Sequence, residues 1–359
     1  MADGILLIRA DANIAMGTGH VMRCLALAQA WQDAGGRAVF AMAETTPSLE
    51  RRMADERAGI KRIAAIPASA SDAQETVNIA KRIEADWIVV DGYHFGEHYQ
   101  SVIKASDCRL LFVDDNGHAA HYSADLVLNQ NLHAVESLYS NRESYTRLLL
   151  GPSYTMLRRE FGMWRKWKRE IRETGTRILI VMGGSDPGNL TSLVIEALES
   201  VQQFRLELLA VVGGSNPHLA QVDAAVSGSR HSIRLVKDAA NMAELMAWAD
   251  MAISAAGSIC WEFCALALPA LLIPVAPNQL ASAEKLESVG VVKVFADGRQ
   301  FRPEEFCREE FAREMVNLIT SPSERQRLSE ESRSLVDGRG AGRVVSALCG
   351  QAADRREED

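Results

Sequence analysis

Runs of aliphatic residues alternate with helical patterns along the first half of the chain. Strand-like runs lie at residues 5–8, 38–41, 87–90, 110–113 and 126–128, and helical patterns lie between several of them, at 73–83 and 97–105. Short apolar runs are typical of parallel strands that are buried on both faces. The alternation therefore predicts an α/β fold with a parallel sheet covered by helices.

The second half of the chain repeats this organisation. Further strand-like runs lie at 177–182, 206–212, 233–236, 251–254, 271–275 and 291–295. Each half begins with a strand, a glycine-rich loop and a helix, and 359 residues suit two domains of ordinary size. We therefore predict two Rossmann-like domains facing a cleft, at 1–160 and 161–350. A last helix at about 323–348 would cross back to the first domain, and 351–359 would be a flexible tail.

The stretch 158–176 differs from its surroundings because it is basic and contains Trp164 and Trp167. Stacking tryptophans among cations would suit nucleic acid. The stretch is short, however, and Glu170 and Glu173 interrupt its positive charge. We favour a solvated helix between the domains.

The first candidate site is the loop and helix start after the first strand. Gly17 and Gly19 allow the backbone to approach a ligand, and a helix N-terminus favours an anion. His20 lies at the helix start and Arg23 follows three residues later on the same face. The helix dipole disfavours an imidazolium there, so a neutral His20 that can accept a proton is expected. The alternative is that His20 caps the helix and Arg23 is a surface charge.

Other strand-like runs end in polar residues. In open parallel sheets the ligand lies beyond the carboxyl ends of the strands. Asp91 and Tyr93 follow the run at 87–90 and could orient a ligand, and Tyr93 could relay a proton. Asp114 and Asp115 follow the next run, but aspartates commonly begin turns, and we favour that reading for both.

A second candidate site follows the strand-like run at 251–254. Backbone N–H groups at 256–259 could hold a phosphate, and Glu262, one turn further, could accept hydrogen bonds from a ribose diol. Glu262 could equally be a surface glutamate favoured by the helix dipole. The side-chain amides of Asn278 and Gln279 would suit polar substituents of a sugar.

Composition limits the remaining possibilities. The chain is 47% hydrophobic and 24% charged, with a net charge of −8, which argues against a general binder of nucleic acid or membrane surfaces. No apolar run is long enough to span a bilayer, and no signal pattern stands at the N-terminus, so a cytoplasmic location is expected. The six cysteines form no metal-binding pattern, and Cys260 and Cys264 suit a helix core. We expect reduced cysteines and no structural zinc.

Taken together, these motifs resemble the GT-B class of nucleotide-sugar enzymes, and in particular the UDP-sugar hydrolases of pseudaminic acid biosynthesis. The resemblance covers about residues 5–345, and Ala276-Pro277 departs from the small residue and aspartate usual before Asn-Gln. The segment with Gly257, Ser258 and Glu262 is shared with the related peptidoglycan N-acetylglucosaminyltransferase. The most specific motifs are Arg9-Ala10-Asp11 followed by Gly17-Thr18-Gly19-His20-Val21-Met22-Arg23-Cys24-Leu25, then Asp91-Gly92-Tyr93, Gly183-Gly184-Ser185-Asp186-Pro187 and Asn278-Gln279.

The resemblance implies hydrolysis of UDP-2,4-diacetamido-2,4,6-trideoxy-β-L-altropyranose at the anomeric carbon with inversion. It implies no cofactor, no metal, and no partner beyond the UDP-sugar and water, with flagellin or surface polysaccharide as the destination of the product. His20 would be the base and Tyr93 a second catalytic residue. The implied substrate-binding residues are Gly17, Thr18, Gly19, Arg23, Asp91, Gly184, Ser185, Asp186, Asn278 and Gln279; UDP would be bound by Ala256, Gly257, Ser258, Ile259 and Glu262.

Three other functions fit the same residues less well. A GT-B glycosyltransferase would use an acceptor alcohol in place of water, but a transferase acting on lipid would need an apolar, basic docking surface that the sequence does not reveal. A non-catalytic UDP-sugar binder would not need His20, Arg23 and Tyr93 at strand ends. A nonhydrolysing epimerase would need more carboxylates near the site.

Overall fold

Each half of the chain folds around its own parallel sheet. The computed structural model describes residues 4–13, 16–214, 216–295 and 306–350, and the predicted tail at 351–359 lies outside them. The chain divides into two units, one made of Met1–Arg159 with Gly338–Asp359 and the other of Glu160–Asp337. Two α/β units with parallel sheets confirm the predicted fold class.

The first unit contains a seven-stranded sheet in the order β3-β2-β1-β4-β5-β6-β7, and every pairing in it is parallel. The edge strands β3 and β7 were absent from the sequence prediction. An edge strand has one neighbour, and β3 is largely exposed, so its sequence lacks the apolar run of a buried strand. The strands are β1 (Ile5–Ala10), β2 (Arg37–Met42), β3 (Gly59–Arg62), β4 (Ala85–Asp91), β5 (Leu110–Val113), β6 (Leu126–Asn129) and β7 (Arg147–Leu150).

In the part of the chain that the structure describes, five α-helices pack around this sheet. They are α1 (Gly19–Asp33), α2 (Pro47–Asp55), α3 (Ala70–Arg82), α4 (Glu97–Lys104) and, from the C-terminal segment, α12 (Gly340–Leu348). Val21, Leu25 and Ala28 of α1 are fully buried at helical spacing, in one apolar cluster with Val344 and Leu348 of α12. This packing fixes the start of α1 above the centre of the sheet.

The second unit contains a six-stranded parallel sheet in the order β10-β9-β8-β11-β12-β13. Its strands are β8 (Arg177–Val181), β9 (Glu207–Val212), β10 (Ser232–Lys237), β11 (Met251–Ala255), β12 (Ala270–Ile273) and β13 (Lys293–Val294). Its helices are α5 (Leu190–Leu198), α6 (Leu219–Gly228), α7 (Met242–Trp248), α8 (Cys260–Ala265), α9 (Pro277–Ser288), α10 (Arg308–Thr320) and α11 (Pro322–Leu335).

The prediction of a solvated helix over 158–176 was wrong. A 3₁₀ turn spans Arg159–Trp164, and the chain then runs without regular structure to β8. Arg169 donates to the carbonyls of Met246 (2.8 Å), Leu266 (3.2 Å) and Ala249, which end or follow α7 and α8. The segment is therefore held by hydrogen bonds to helix ends, and a regular helix would not bring Arg169 to those carbonyls.

The single helix expected at about 323–348 is two helices. The first of them, α11, ends at Leu335, and α12 begins at Gly340, after Gly338 takes a positive φ of 72°. The residue after α11, Val336, is extended, and glycine adopts the left-handed conformation at 338 with little steric cost, so the chain turns between the two helices.

Candidate active site

Four acidic and basic side chains meet at the carboxyl ends of β4 and β5. Asp91 is the last residue of β4, and Asp115 lies two residues after β5, the neighbouring strand. His20 and Arg23 come from the first turns of α1, which follows β1 on the other side of β4. The topology thus brings together residues more than sixty positions apart.

His20 is paired with Asp91. The ring nitrogen Nδ1 lies 2.7 Å from Asp91 Oδ1, and His20 is 8% exposed. A carboxylate can only accept, so Nδ1 donates and carries the proton in this pair. Arg23 Nη2 lies 3.2 Å from the same nitrogen, but as a donor it bonds to Asp91 Oδ1 at 2.7 Å instead. The neutral tautomer of His20 consequently keeps its lone pair on Nε2.

Arg23 lies between two carboxylates. Its Nε and Nη2 atoms donate to the two oxygens of Asp91 at 2.6 and 2.7 Å. Its Nη1 atom donates to both oxygens of Asp115, at 2.7 and 2.9 Å. Arg23 is therefore a buried clamp, and the alternative reading of Arg23 as a surface charge does not hold.

Both carboxylates are held ionised despite their burial. Burial by itself raises the pKa of Asp91 and of Asp115, but the charge of Arg23 outweighs it and lowers both values. Burial likewise lowers the pKa of Arg23, and the charges of Asp115 and Asp91 more than reverse this. The cluster thus contains two negative groups and one positive group beside His20.

Tyr93 borders the cluster on its more exposed side. The phenol is 44% exposed, donates to Asp115 Oδ2 at 3.0 Å and meets the His20 ring edge-on at 4.7 Å between centroids. Asn131, just after β6, donates to the other oxygen of Asp115 at 2.8 Å. Because the hydroxyl proton of Tyr93 points to a carboxylate, this geometry orients Tyr93 beside His20.

Asp114 and Asp115, adjacent in sequence, have different roles. Asp114 accepts from the backbone N–H of Asn116 (2.7 Å) and Gly117 (2.9 Å) and from the hydroxyl of Tyr122, as expected of a turn residue. The same expectation for Asp115 was wrong, because its carboxylate faces Arg23. The sequence feature that could have identified Asp115 is its position just after the strand-like run that follows the one ending at Asp91.

The loop before α1 is tightly closed. Gly17 has a φ of 75°, and its N–H donates to the carbonyl of Asn13 at 2.8 Å. A side chain at such a φ would be strained. Thr18 precedes the helix without a side-chain cap, and Gly19 is its first residue. The predicted loop therefore leads directly to His20.

In the second unit, the predicted residues Gly184, Ser185 and Asp186 lie in the loop between β8 and α5. Asp186 Oδ1 accepts from the N–H of Leu190 at 2.8 Å, and Oδ2 accepts from the N–H and hydroxyl of Thr191 at 3.0 and 2.7 Å. Burial raises the pKa of Asp186, and these hydrogen bonds oppose it. Its observed contacts are those of a helix cap.

The predicted UDP-binding segment lies between β11 and α8. Ala256 is buried, Gly257 and Ser258 are exposed, and Ile259 is half-buried. The N–H of Gly257 donates to the carbonyl of Ala255 at 2.9 Å, so this one of the predicted N–H groups is already used within the turn. Glu262 lies in the first turn of α8 and is half-buried.

Gln279 lies in the first turn of α9, where its Oε1 accepts from the N–H of Val275 at 3.0 Å. This bond closes the turn that contains the departure at Ala276-Pro277. The side chain of Asn278 lies outside what the structure describes.

Within the ranges that the structure describes, no group of three or more His, Cys, Asp or Glu side chains could hold a metal ion. None of the helices there is both long and apolar enough to cross a bilayer.

Comparison with known proteins supports the resemblance read from the motifs. Residues 178–304 match the glycosyltransferase family 28 C-terminal domain. The UDP-2,4-diacetamido-2,4,6-trideoxy-β-L-altropyranose hydrolase of Campylobacter jejuni is 27% identical over 79% of this chain and 97% of its own length. Uncharacterized protein MJ1062 of Methanocaldococcus jannaschii is 27% identical over 75% of this chain, and the aligned part spans 55% of that relative's length.

Solved structures share the fold at lower identity. MurG of Acinetobacter baumannii has a TM-score of 0.64 and 16% identity, with 97% of this chain and 99% of that chain covered. MnaA of S. aureus, solved with UDP, has a TM-score of 0.64 and 13% identity, with 99% and 100% covered. The expected resemblance to GT-B nucleotide-sugar enzymes and to the pseudaminic acid hydrolase is confirmed.

Proposed function

We propose that this chain hydrolyses UDP-2,4-diacetamido-2,4,6-trideoxy-β-L-altropyranose to UDP and the free sugar, in the biosynthesis of pseudaminic acid. The observation that carries the proposal is the His20–Asp91 pair, with Nδ1 2.7 Å from Oδ1. This pair leaves Nε2 of a neutral imidazole as a proton acceptor at the end of the sheet where such folds bind ligands. The Campylobacter jejuni relative, which is named as this hydrolase, supplies the substrate.

In the proposed reaction, water attacks the anomeric carbon and inverts its configuration. The oxygen of water forms a bond to that carbon, the bond from the carbon to the diphosphate oxygen breaks, and its electron pair leaves with UDP. His20 Nε2 takes the proton of water, which is typically worth about 10²–10⁴ in rate. Asp91 holds the ring and stabilises the imidazolium, and Tyr93 orients the sugar beside it.

The remaining predicted residues are proposed to bind the substrate. Backbone groups of the loop at 17–19 would contact the sugar diphosphate, with Gly184, Ser185, Asn278 and Gln279 at polar sugar substituents. Ala256, Gly257, Ser258 and Ile259 would hold the diphosphate of UDP, and Glu262 the ribose. Developing charge on the leaving diphosphate would then be stabilised by backbone N–H groups without a metal. We also propose that the protein acts in the cytoplasm.

The experiment is time-resolved NMR of the purified protein with this UDP-sugar in partly ¹⁸O-labelled water, without metal or acceptor. We expect UDP and a free sugar that carries the label. Label in UDP would mean attack at phosphorus and would overturn the role of His20. His20→Gln should lose nearly all turnover while UDP still binds, and near-normal turnover of this variant would refute the base assignment.

A GT-B glycosyltransferase is the second candidate, because residues 178–304 match a glycosyltransferase domain. A transferase would release little free sugar in water alone and would consume the UDP-sugar only with an acceptor alcohol. An unchanged substrate in the labelled-water experiment would therefore favour this candidate or a different sugar.

A further inference from the structure

The charges around His20 do not balance while its ring is neutral. Asp91 and Asp115 are both ionised, and Arg23 is the cation that binds both. Two carboxylates and one guanidinium leave one negative charge in excess. When His20 accepts a proton during the reaction, the imidazolium cancels that excess.

The excess negative charge is shared by Asp91 and Asp115, because both carboxylates bind the same guanidinium. Arg23 gives two donors to Asp91, at 2.6 and 2.7 Å, and one donor, Nη1, to the two oxygens of Asp115. Each carboxylate is therefore only partly neutralised by the guanidinium. Burial of all three groups keeps their interaction strong, because water screens it little.

We propose that Asp115 is a positioning residue for His20: it holds Arg23 against Asp91 and supplies the negative charge that balances the imidazolium formed during the reaction. The inference rests on the proposed function only for the role of His20 as the base. Asp115 contacts Arg23 and Tyr93, and both of these side chains lie beside the His20 ring. Asp115 therefore acts on His20 through these two neighbours.

The other groups that face the cluster are polar side chains and the thiol of Cys24, which lies 3.3 Å from Asp91 Oδ2 and whose pKa burial raises. Tyr93, after β4, and Asn131, after β6, donate to Asp115 at 3.0 and 2.8 Å. His133 Nε2 lies 2.7 Å from the carbonyl of Asp115. His118 pairs with Asp114 and meets the Tyr93 ring at 6.4 Å between centroids. His118 and His133 are thus the titratable rings near Asp115 that an experiment must distinguish from His20.

The test follows the eight histidines by NMR of protein labelled at ¹³Cε1, without substrate. The signal lost in His20→Gln identifies His20. At the pH where His20 of the natural protein is half protonated, Asp115→Asn should lower the ratio of imidazolium to imidazole about tenfold, the effect of losing one nearby opposite charge. Asp115→Glu, which keeps the charge, should restore the ratio to within about twofold.

Asp114→Asn is the matched control, because it removes the neighbouring carboxylate. The hydrogen bond that His118 Nδ1 donates to the Asp114 carboxylate is the largest cause that raises the pKa of His118. This variant should therefore lower the pKa of His118 and leave the His20 ratio close to that of the natural protein. If Asp115→Asn does not fold, Asp115→Ala replaces it, since water can then enter and solvate Arg23.

A His20 ratio that stays within twofold in a folded Asp115 variant would overturn the proposal. An equal decrease of the His20 ratio in the Asp114 and Asp115 variants would also overturn the proposal, because it would reflect the change in net charge alone. The titration needs no turnover, so it is independent of the identity of the substrate. In the activity assay, the acidic limb of the kcat/KM profile should move to lower pH in Asp115→Asn, which a merely structural role would not produce.

Discussion

Asp91→Asn is the sharpest perturbation of the His20 pair, because it changes one oxygen to nitrogen and little else. In the native site, Asp91 accepts from His20 Nδ1 (2.7 Å), from Arg23 Nε (2.6 Å) and Nη2 (2.7 Å), and from Cys24 Sγ (3.3 Å). An asparagine has one accepting oxygen and one donating NH₂ group. Whichever way the amide turns, its NH₂ group faces a donor.

In either orientation the NH₂ group faces one N–H of Arg23, Nη2 or Nε, so the cheaper orientation is the one in which the NH₂ group also finds an acceptor, and the stronger acceptor within reach is His20 Nδ1. His20 Nδ1 must then accept, so the proton moves to Nε2 and the base loses the lone pair it needs. We expect turnover to fall by about 10²–10⁴, the usual contribution of a general base. Arg23 keeps Asp115 as its partner, so the free energy of unfolding should fall by only about 1–3 kcal/mol.

The assay measures UDP release from the proposed substrate, with thermal unfolding to show that the variant is folded. Asp86→Asn is the matched control: Asp86 lies at the other end of β4, where its carboxylate accepts from the N–H of Ile5 at 2.7 Å. This control should keep turnover within about threefold, since it lies far along the strand from His20. ¹⁵N NMR of the His20 ring should show the Nδ1–H tautomer in the natural protein and the Nε2–H tautomer in Asp91→Asn.

Turnover above about one tenth of the natural rate in folded Asp91→Asn would refute the reasoning. An Nδ1–H tautomer that persists in the variant would refute it as well, because the carboxylate would then not be what selects the tautomer.

Two further predictions concern other parts of the chain. Glu262→Ala should weaken UDP binding about 10–100-fold by loss of a charge-assisted hydrogen bond to the ribose. Calorimetry should find no such change in the control variant Glu244→Ala, which alters a first-turn glutamate of α7. Unchanged UDP affinity in Glu262→Ala would contradict the assignment of Glu262 to the ribose. Burial raises the pKa of Asp114, but hydrogen bonds from His118 and Tyr122 outweigh it and lower the pKa to about 2. Because its pKa is depressed in the folded state, Asp114 should contribute about 2 kcal/mol of stability above pH 4 that is lost as the pH falls towards 2, and Asp114→Asn should flatten unfolding curves in that window.

The buried parts of the fold were predictable because burial dictates composition. Strands β1, β4 and β5 are largely buried on both faces, so each contains an unbroken run of four apolar residues in the sequence. Edge strand β3 is exposed and polar, and nothing in its sequence separates it from a loop. The solvated helix predicted at 158–176 was wrong for a related reason. Its basic residues indicated a solvent-exposed helix, whereas Arg169 donates to helix-end carbonyls, a contact that no local sequence pattern reveals.

The site was predictable where its residues are local. His20 and Arg23 share one helix face at a spacing of three, and Asp91 stands at a strand end. The contact between Asp115 and the Arg23 clamp depends on the order of strands in the sheet, which places β5 beside β4. That order is a tertiary property, so two adjacent aspartates with opposite roles look the same in the sequence.

The match to the glycosyltransferase domain lies at residues 178–304, within the second unit, whereas the His20 cluster belongs wholly to the first. The two units are therefore proposed to serve different steps. The second unit would bind the nucleotide, which hydrolase and transferase have in common. The first unit contains the proposed base, and the acceptor that this base would activate decides between the two functions. A substitution at Asp91 or Asp115 should consequently change how the reaction is catalysed and leave UDP affinity intact, while Glu262→Ala should do the reverse. If instead the Asp91 and Asp115 variants lost UDP affinity to the same extent as Glu262→Ala, this division of function would be wrong.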